Sequence, residues 1–494
     1  MHVESSNLLE HSLNPGKLTA LGHSVFNFLL PTQVTQATID LSFTMGKPFF
    51  TMEDAKASFN LFCCVYGIGT LGMPGNFSRA GPALAIVAMV FMAFANIYGA
   101  VAICRVMLLA PTSVKTYGDL GEWVMGKWGR YLTVIAQMGN CLIVPCVFLV
   151  LGGTLLDGLY PGAFSTTTWS ILMALTVLPV CLVPTLKEGA GAAFAGCMGT
   201  LVADVIGIAV VMYGMRGHPT APAPDLNFRQ VVGAFGNLAL AYGAGIVIPA
   251  LQRQHSDPTR MPRVVFVTMA FTTCCFLVLA STAYSSVGCQ ISGNLLWSIY
   301  PQADTGLTTL GFSSDCGAIV LAYMFMQLHI TIAFSVILNP AFYITERLFL
   351  VADNENVHLG EPEAEAAEYR GANAVKYVLL RIVIIVILVI ASVVFKDHFA
   401  DLSDFVGASC ITMHSIILPI VFLMKKQWDV MPIWEKTMAV TVTVVCFCLG
   451  CNVTYTSGEN LFFPNDDDVE FPFCGSEYEN TCVLQLHSCS RELG

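Results

Sequence analysis

Residues 59–74 read FNLFCCVYGIGTLGMP: a pair of glycines interrupts an apolar segment, and a proline follows the pair. Residues 240–249 read LAYGAGIVIP and repeat this order in the second half of the chain. Glycine has a permissive backbone, so a helix opens more readily at these two places than elsewhere. Helices broken at corresponding positions in two halves of a membrane protein indicate the binding site of a secondary transporter.

The composition is that of a membrane protein. Of the 494 residues, 55% are hydrophobic and 12% are charged, whereas a soluble domain has about 25% charged residues. Eleven apolar stretches reach about 20 residues, which is long enough to cross a ~30 Å hydrocarbon core. Because lipid offers no hydrogen bonds to the backbone, we expect these stretches to be helices of an all-α, multi-pass membrane protein. The predicted spans lie near residues 55–77, 82–108, 131–156, 168–186, 191–214, 231–251, 263–287, 316–345, 375–395, 403–424 and 436–455.

The basic residues predict the orientation of the chain in the membrane. With the N-terminus in the cytoplasm, 18 of the 23 lysines and arginines fall on the cytoplasmic side of the predicted spans. An odd number of spans then places the C-terminus in the extracellular space or in a lumen. The net charge of −11 is not that of a nucleic-acid-binding protein. Much of it lies in the run from Glu361 to Glu368 and in the tail near residues 466–470, which are expected to be solvated.

Opening the helices at the two glycine pairs creates a site for a zwitterion. The N–H groups at the start of a half-helix carry partial positive charge and suit an α-carboxylate, while freed carbonyl groups on helix 6 suit an ammonium group. The alternative is that the glycines only allow helices to pack closely. The predicted substrate-binding residues are Cys63, Tyr66, Gly67, Ile68, Gly69, Thr70, Ala241, Tyr242, Gly243, Ala244 and Gly245.

Few ionisable side chains lie inside the predicted spans. Asp204 lies midway along span 5, His329 lies within span 8 and His414 lies within span 10. A charge at membrane depth is costly and is therefore functional by default, and histidine titrates near neutral pH. We predict that Asp204 carries the coupling proton, with His329 as the next candidate. The alternative for each is a neutral side chain that joins helices through hydrogen bonds.

Short motifs follow one another in order between about residues 50 and 425. They are Phe59-Asn60-Leu61 with Gly67-x-Gly69-x-Leu71-Gly72 and Met73-Pro74, Tyr117-x-Asp119-Leu120-Gly121, Ala241-Tyr242-Gly243-Ala244-Gly245 with Pro249, Pro340 with Glu346, and Phe405-Val406-Gly407-Ala408 with Leu418-Pro419. Their order and spacing resemble the amino acid/auxin permease family. The resemblance implies a LeuT-like fold of the amino acid-polyamine-organocation superfamily, with spans 1–5 and 6–10 as inverted repeats and span 11 at the periphery. It also implies coupled transport of amino acids.

The domain organisation follows from the spans and from the implied repeats. No signal peptide precedes the first span. The predicted units are a cytoplasmic segment (1–52), a transporter core (53–425) with inverted repeats at about 53–214 and 230–425, helix 11 (433–455), and an acidic, cysteine-containing extracellular or lumenal tail (456–494).

The resemblance also bears on the coupling ion. Sodium-coupled relatives have an asparagine where Cys63 stands and a threonine near the position of Ala333, with Thr331 and Ser335 within the uncertainty of the alignment. A thiol is a poor ligand for a hard cation. Proton coupling is therefore favoured over sodium coupling, and Thr331 and Ser335 are additional candidates for the ion or proton path.

Other function classes fit the sequence less well. It contains no nucleophile–base pair, metal-ligand spacing or ATP-binding motif, so we expect neither an enzyme nor a metal or cofactor. The paired broken helices argue against a channel. An amino-acid sensor (transceptor) on the same fold and a sodium-coupled transporter stay open as alternatives. The expected location is the plasma membrane or a vacuolar or lysosomal-type membrane.

Two cysteines flank the loop between spans 7 and 8, on the side predicted to lie outside the cytoplasm. They are Cys289 and Cys316, and an oxidising compartment would permit a disulfide there. The sequence leaves the connectivity open, because Cys474, Cys482 and Cys489 in the tail lie on the same predicted side.

Overall fold

The computed structural model describes residues 49–160, 162–182, 189–217, 223–301, 306–350 and 372–463, which are almost entirely helical. The helices are α1 (Met52–Val65), α2 (Gly69–Leu109), α3 (Tyr117–Met125), α4 (Lys127–Leu159), α5 (Thr166–Leu182), α6 (Gly189–Gly214), α7 (Phe228–Ala241), α8 (Ile248–Gln254), α9 (Met261–Val287), α10 (Leu295–Ser298), α11 (Cys316–Phe349), α12 (Ala372–Val394), α13 (Phe399–Val406), α14 (Leu418–Gln427) and α15 (Ile433–Phe462).

The chain divides into two units, Met1–Ala55 and Lys56–Gly494, and the helix bundle belongs to the second. In the first unit, Thr51 and Asp54 exchange hydrogen bonds of 2.8 and 3.1 Å between side chain and backbone N–H. This reciprocal pair caps the start of α1.

Eight helical segments of the described residues are long and apolar enough to cross a membrane, and α5 is a shorter apolar helix. Each of the eleven predicted spans overlaps helical structure within the described residues. The all-α, multi-pass class is therefore confirmed, while the count of eleven crossings stays a prediction.

Helix α2 contains the end of predicted span 1 and all of predicted span 2, and Gly81 interrupts the helical backbone between them. Gly81 has φ 71° and ψ 158°, a conformation outside the helical region, and Pro82 follows it. Glycine adopts this backbone without the steric cost that a side chain would add. The boundary predicted between residues 77 and 82 therefore corresponds to a real interruption. The N-terminal part of α2, residues 69–80, belongs to the first span.

Both predicted helix breaks are present. The first span is interrupted between Val65 and Gly69, and the sixth between Ala241 and Ile248. The second break continues past Gly245, the last glycine of the cluster. It extends to the start of α8 because Pro249, in the first turn of that helix, needs no N–H partner there.

The tenth predicted span is a helix of mixed type. Between α13 and α14 lie two π-helical turns, Gly407–Ile411 and Met413–Ile417. The sequence predicted one regular helix over 403–424. Such wide turns are rare and often lie at functional sites.

The last helix is longer than predicted. The sequence placed helix 11 at 433–455, with the tail from 456, whereas α15 runs to Phe462. Its buried residues continue past the apolar segment as Gly450, Val453, Ser457 and Leu461, which is helical spacing. The predicted boundary was wrong because packing on one face maintains the helix after its mean hydropathy falls. The rest of the tail lies outside the described residues.

The two cysteines that flank the loop after α9 are not bonded to each other. Cys289 is disulfide-bonded, whereas Cys316 is a free, exposed cysteine at the start of α11. The suggested pairing is therefore incorrect. Cys474, Cys482 and Cys489 lie outside the described residues.

A buried arginine on α12 connects three helices of the bundle, through an ion pair and a hydrogen bond. Arg381 of α12 donates to Glu346 of α11 at 2.7 Å, and both side chains are 3% exposed. The same guanidinium donates to the carbonyl oxygen of Cys181 on α5 at 2.9 Å. Glu346, one of the residues that carried the family resemblance, therefore has a structural partner.

Glu346→Ala should lower the free energy of unfolding by about 3–5 kcal/mol, because it leaves a buried guanidinium without this carboxylate. Thermal unfolding of the purified protein in detergent measures the effect. Asp397→Ala is the control, because the Lys396–Asp397 pair is exposed and exposed pairs contribute about 0–1 kcal/mol. Equal melting temperatures for the two variants would contradict the prediction.

Candidate functional site

The two helix breaks meet around one aromatic side chain, Phe276 of α9. Tyr66, in the first break, lies with its ring centroid 5.8 Å from that of Phe276. Tyr242, in the second break, packs edge-on against the same Phe276 ring, with the ring centroids 5.2 Å apart. Its hydroxyl group donates a hydrogen bond to Thr273 Oγ1 at 3.1 Å. All three aromatic residues are buried. The two tyrosines predicted at the breaks are thus brought together by a helix that the prediction did not include.

Backbone contact between the breaks explains one of the glycines. A Cβ atom on Gly69 would lie 2.6 Å from Cα of Ala241, which is too close for any side chain. The close-packing interpretation therefore applies at Gly69. The glycine both begins α2 and lets the first break touch the end of α7.

The other predicted glycines also lie against neighbouring side chains. A Cβ on Gly67 would meet His329 Nε2 at 3.0 Å, and one on Gly243 would meet Ile411 at 2.9 Å. On Gly245 it would meet Ser415 Oγ at 2.9 Å. The breaks are therefore enclosed by α11 and by the π-helical segment between α13 and α14.

Turn hydrogen bonds already use some of the freed backbone groups. The N–H of Thr70 donates to Gly67 O at 3.0 Å, and that of Leu71 donates to Ile68 O at 3.2 Å. In the second break, Val247 N donates to Ala244 O at 3.2 Å. Ile68, Thr70, Ala241 and Ala244 are buried, as expected of residues that line a site inside a bundle.

Asp204 on α6 is next to the first break. Its Oδ1 accepts a hydrogen bond from Thr70 Oγ1 at 3.1 Å. Its Oδ2 is buried and has no hydrogen-bond partner among the described residues. The hydroxyl group of Tyr66 is also close to this carboxyl group and interacts with it. The structure therefore joins the predicted coupling acid to two predicted substrate-site residues.

His329 on α11 connects the same break to α6. Its Nδ1 lies 3.1 Å from Gly196 O. A carbonyl oxygen only accepts, so Nδ1 carries the hydrogen, and in the neutral ring Nε2 is an acceptor. That Nε2 is the atom next to Gly67. His329 and Asp204 thus approach the first break from two different helices.

The remaining candidates for the ion path are not joined to the breaks by hydrogen bonds. Thr331 donates to Gln327 O at 2.8 Å and Ser335 to Ile332 O at 2.9 Å, so both hydroxyl groups are bonded within α11. Cys63 is buried on α1 beside Cys197 of α6. A pair of thiols on this side of α1 does not provide the oxygen ligands that a hard cation requires.

A polar network that the sequence did not reveal lies beyond the breaks, towards the start of α13. Arg79 Nη1 is 2.8 Å from Asp404 Oδ2, and Arg79 Nη2 donates to Asn76 Oδ1 at 3.2 Å. Asn76 donates in turn to Asn237 Oδ1 on α7 at 2.9 Å. The network ties α2, α7 and α13 together. Opposite charges near the ends of spans 1 and 10 were the available signal, but nothing in the sequence pairs them.

A cavity of about 570 Å³ lies elsewhere, between α4, α11, α12 and the start of α13. Its lining is almost wholly apolar and includes Met138, Leu348 and Ile387. A zwitterion needs charged or polar partners in a membrane. This cavity is therefore a poor candidate for the substrate site, and the helix breaks are a better one.

Residues 53–462 match the family described as transmembrane amino acid transporter protein. Amino acid transporter AVT3B of Arabidopsis thaliana is 22% identical over 85% of this chain and 96% of its own length. Amino acid transporter AVT1D of the same plant is 26% identical over 46% of this chain and 42% of its own length. The match to vacuolar amino acid transporter 7 of Saccharomyces cerevisiae, at 21% identity, covers 51% of this chain and 53% of that protein. The chain thus spans about half the length of two of these relatives.

Two solved structures are similar in fold. MhsT in complex with L-phenylalanine has a TM-score of 0.50 at 12% identity, and the match covers 83% of this chain and 100% of that chain. The manganese transporter of Eremococcus coleocola has a TM-score of 0.52 at 11% identity, over 90% and 93%. The LeuT-like fold that the family resemblance implied is thereby confirmed. The chain belongs to the family of transmembrane amino acid transporter proteins.

Proposed function

We propose that this protein is a secondary active transporter of amino acids, driven by protons, which binds its substrate at the two helix breaks. The observation that carries the proposal is the contact between these breaks inside a bundle of the transmembrane amino acid transporter family. The names of the relatives, which are amino acid transporters, support the substrate class.

The chemistry of the breaks suits an α-amino acid. The α-carboxylate would bind N–H groups at the start of α2, where the helix dipole adds positive charge. Because the N–H groups of Thr70 and Leu71 serve the turn, the donors would come from Gly67–Gly69 or from that turn as it opens. The ammonium group would bind freed carbonyl groups in the second break.

Access to this site requires movement, because Tyr66 and Tyr242 are buried. In alternating access, one part of the bundle rocks against another around a fixed site. The contacts of Arg79 with Asp404 and Asn76 would have to change for the site to open at that end.

Asp204 is the proposed proton carrier. The carboxyl group is buried and interacts with the hydroxyl groups of Thr70 and Tyr66 at the first break. An ionised carboxylate in such a place is costly, and protonation removes the charge. Movement of α2 would break the bond to Thr70 and so change the cost of ionisation during the cycle. His329, which also contacts the break, is the second candidate.

The proposed orientation has a cytoplasmic N-terminus. The disulfide at Cys289 supports an oxidising environment around the connection between α9 and α11. A vacuolar or lysosomal-type membrane, with an acidic lumen, would supply the proton gradient, and the plasma membrane is the alternative.

The decisive experiment is uptake of each of the twenty standard L-amino acids, radiolabelled, into proteoliposomes with and without an imposed pH gradient. Accumulation that depends on the gradient supports the proposal. Binding of an amino acid without any transport would instead support a sensor built on this fold.

Gly69→Leu should abolish transport while the protein still reaches its membrane. The first added carbon would already lie 2.6 Å from Ala241, so the two breaks would be forced apart. Uptake is compared at equal surface expression. Gly293→Leu is the control, because a Cβ there meets no atom within 4 Å. Uptake by Gly69→Leu close to the wild-type rate would count against the site.

Replacement of external sodium by choline should leave uptake almost unchanged. The physical reason is that Cys63 and Cys197 offer sulfur on this face of α1, where a sodium ion would need oxygen. The measurement is the initial uptake rate at constant pH and ionic strength. A steep loss on removal of sodium would show that sodium is the coupling ion.

Asp204→Asn should preserve exchange of substrate across the membrane but abolish concentrative uptake driven by a pH gradient. The amide keeps the size of the side chain and can accept from Thr70, but it does not titrate. Both activities are measured in the same proteoliposomes, with Asp429→Asn, an exposed residue after α14, as the control. Undiminished gradient-driven uptake would remove Asp204 from the proton path and leave His329.

A further inference from the structure

The π-helical segment between α13 and α14 lies along the second helix break. Ile411, in the first π turn, faces Gly243, and Ser415, in the second, faces Gly245. The carbonyl oxygen of Ser415 also lies against Gly99 of α2, where a Cβ atom would not fit, so the segment is held from two sides. A regular helix over these residues would present a different set of groups to the break.

One hydrogen bond crosses from this segment into the break. The N–H of Gly245 donates to Ser415 Oγ at 3.2 Å, in a fully buried position. Because α7 has already ended at Ala241, Gly245 is not part of a helical ladder. The hydroxyl of Ser415 thus caps a backbone donor that the opening of the helix has released.

A second bond fixes the direction of that hydroxyl. Ser415 Oγ lies 3.0 Å from His414 Nδ1. The backbone N–H of Gly245 only donates, so the serine oxygen accepts from it. The bond between the serine hydroxyl and Nδ1 forms in either tautomer of the ring, since the hydroxyl can donate to Nδ1 or accept a second bond from it. Gly245, Ser415 and His414 are thus joined in sequence by two hydrogen bonds.

Burial of the His414 ring carries a free-energy cost. His414 is fully buried, and its Nε2 has no hydrogen-bond partner among the described residues. Its backbone oxygen accepts from the Tyr117 hydroxyl of α3 at 2.7 Å, so the backbone is satisfied where the ring is not. A buried unsatisfied group calls for an explanation, and the orientation of Ser415 provides one.

We propose that Ser415 is a positioning residue of the substrate site: it holds the second helix break open in its binding geometry, and His414 orients its hydroxyl group. This inference rests on the proposed site at the helix breaks. Ser415 acts through Gly245 and not through the substrate itself. The proposal assigns to the π-helical segment a part in substrate affinity that the sequence motifs did not indicate.

Ser415→Ala, Ser415→Thr and Ser409→Ala test the assignment. Ser409 lies on the same segment, but its hydroxyl donates to Phe405 O within its own helix at 2.5 Å. The variants are reconstituted, and KM and Vmax are measured for the best substrate among the twenty standard L-amino acids. Ligand-induced rise in melting temperature gives a separate measure of binding.

The loss of one buried hydrogen bond should raise KM of Ser415→Ala about tenfold, with a smaller change in Vmax. Ser415→Thr keeps the hydroxyl and should stay near the wild-type KM, as should Ser409→Ala. The melting temperature without ligand should stay within a few degrees of wild type for all three. Wild-type KM in Ser415→Ala, or equal impairment of Ser415→Ala and Ser415→Thr, would overturn the inference.

His414 is tested with two replacements of different chemistry. His414→Asn keeps a side-chain acceptor near the position of Nδ1, whereas His414→Phe keeps a ring and removes the acceptor. KM of His414→Asn should lie closer to wild type than that of His414→Phe. The reverse order would overturn the role assigned to His414.

The inference and the proposed function fail in different ways. A wild-type protein that binds an amino acid but does not transport it refutes the transporter, and the binding measurements on Ser415→Ala still decide the inference. A wild-type protein that transports, with Ser415→Ala unchanged in KM, refutes the inference alone. A wild-type protein that neither binds nor transports any of the twenty amino acids overturns both.

Discussion

Backbone N–H and C=O groups released at the two helix breaks have no water to bond with inside a bilayer. The surrounding helices therefore have to enclose them. Irregular backbone is tolerated at membrane depth only where protein surrounds it or where it lines a cavity. Here α6, α9, α11 and the π-helical segment surround the breaks. Ser415 accepts from the released N–H of Gly245, while Thr273 and Phe276 contact the side chain of Tyr242 in the same break.

Buried charges in this protein fall into two groups. Arg381 with Glu346, and Arg79 with Asp404, are paired at hydrogen-bond distance, and each pair joins different helices. Asp204 differs because the described groups that interact with it are the neutral hydroxyls of Thr70 and Tyr66. The charge of a residue in an ion pair is stabilised by its partner for as long as the two side chains stay in contact. An acid without a cationic partner is the kind of group whose protonation can follow a movement, because little else fixes its charge.

The sequence was most informative where local chemistry sets the outcome. Glycine pairs and the first-turn proline predicted the breaks, and apolar length predicted the spans. Asp204 and His329 stood out because ionisable residues are rare at that depth, and both lie at the first break. Phe276 and Ser415 could not be recognised in this way. An aromatic residue or a serine in a span is ordinary, and their importance arises only from tertiary packing.

The misjudged details have the same origin. Hydropathy ended the last helix at 455, but the buried stripe through Ser457 and Leu461 extends it. The suggested bridge between Cys289 and Cys316 relied on their position beside one loop, which does not determine pairing. The contact between Gly69 and the backbone of Ala241 is a further feature that the sequence could not specify. Each of these required knowledge of which distant segment lies opposite, and one sequence does not contain it.

The two breaks are related in sequence pattern but not in the chemistry that surrounds them. The first break is bordered by titratable side chains, Asp204 and His329. The second is bordered by hydroxyl groups, those of Thr273 and Ser415, and by a histidine that faces one of them. In the proposed mechanism, a proton that binds at the first break would change the charge next to α2. A substrate held at both breaks would sense that change, because Gly69 and Ala241 are in direct contact. Coupling between proton and substrate would then need no long pathway, since the contact between the two breaks would itself be the connection.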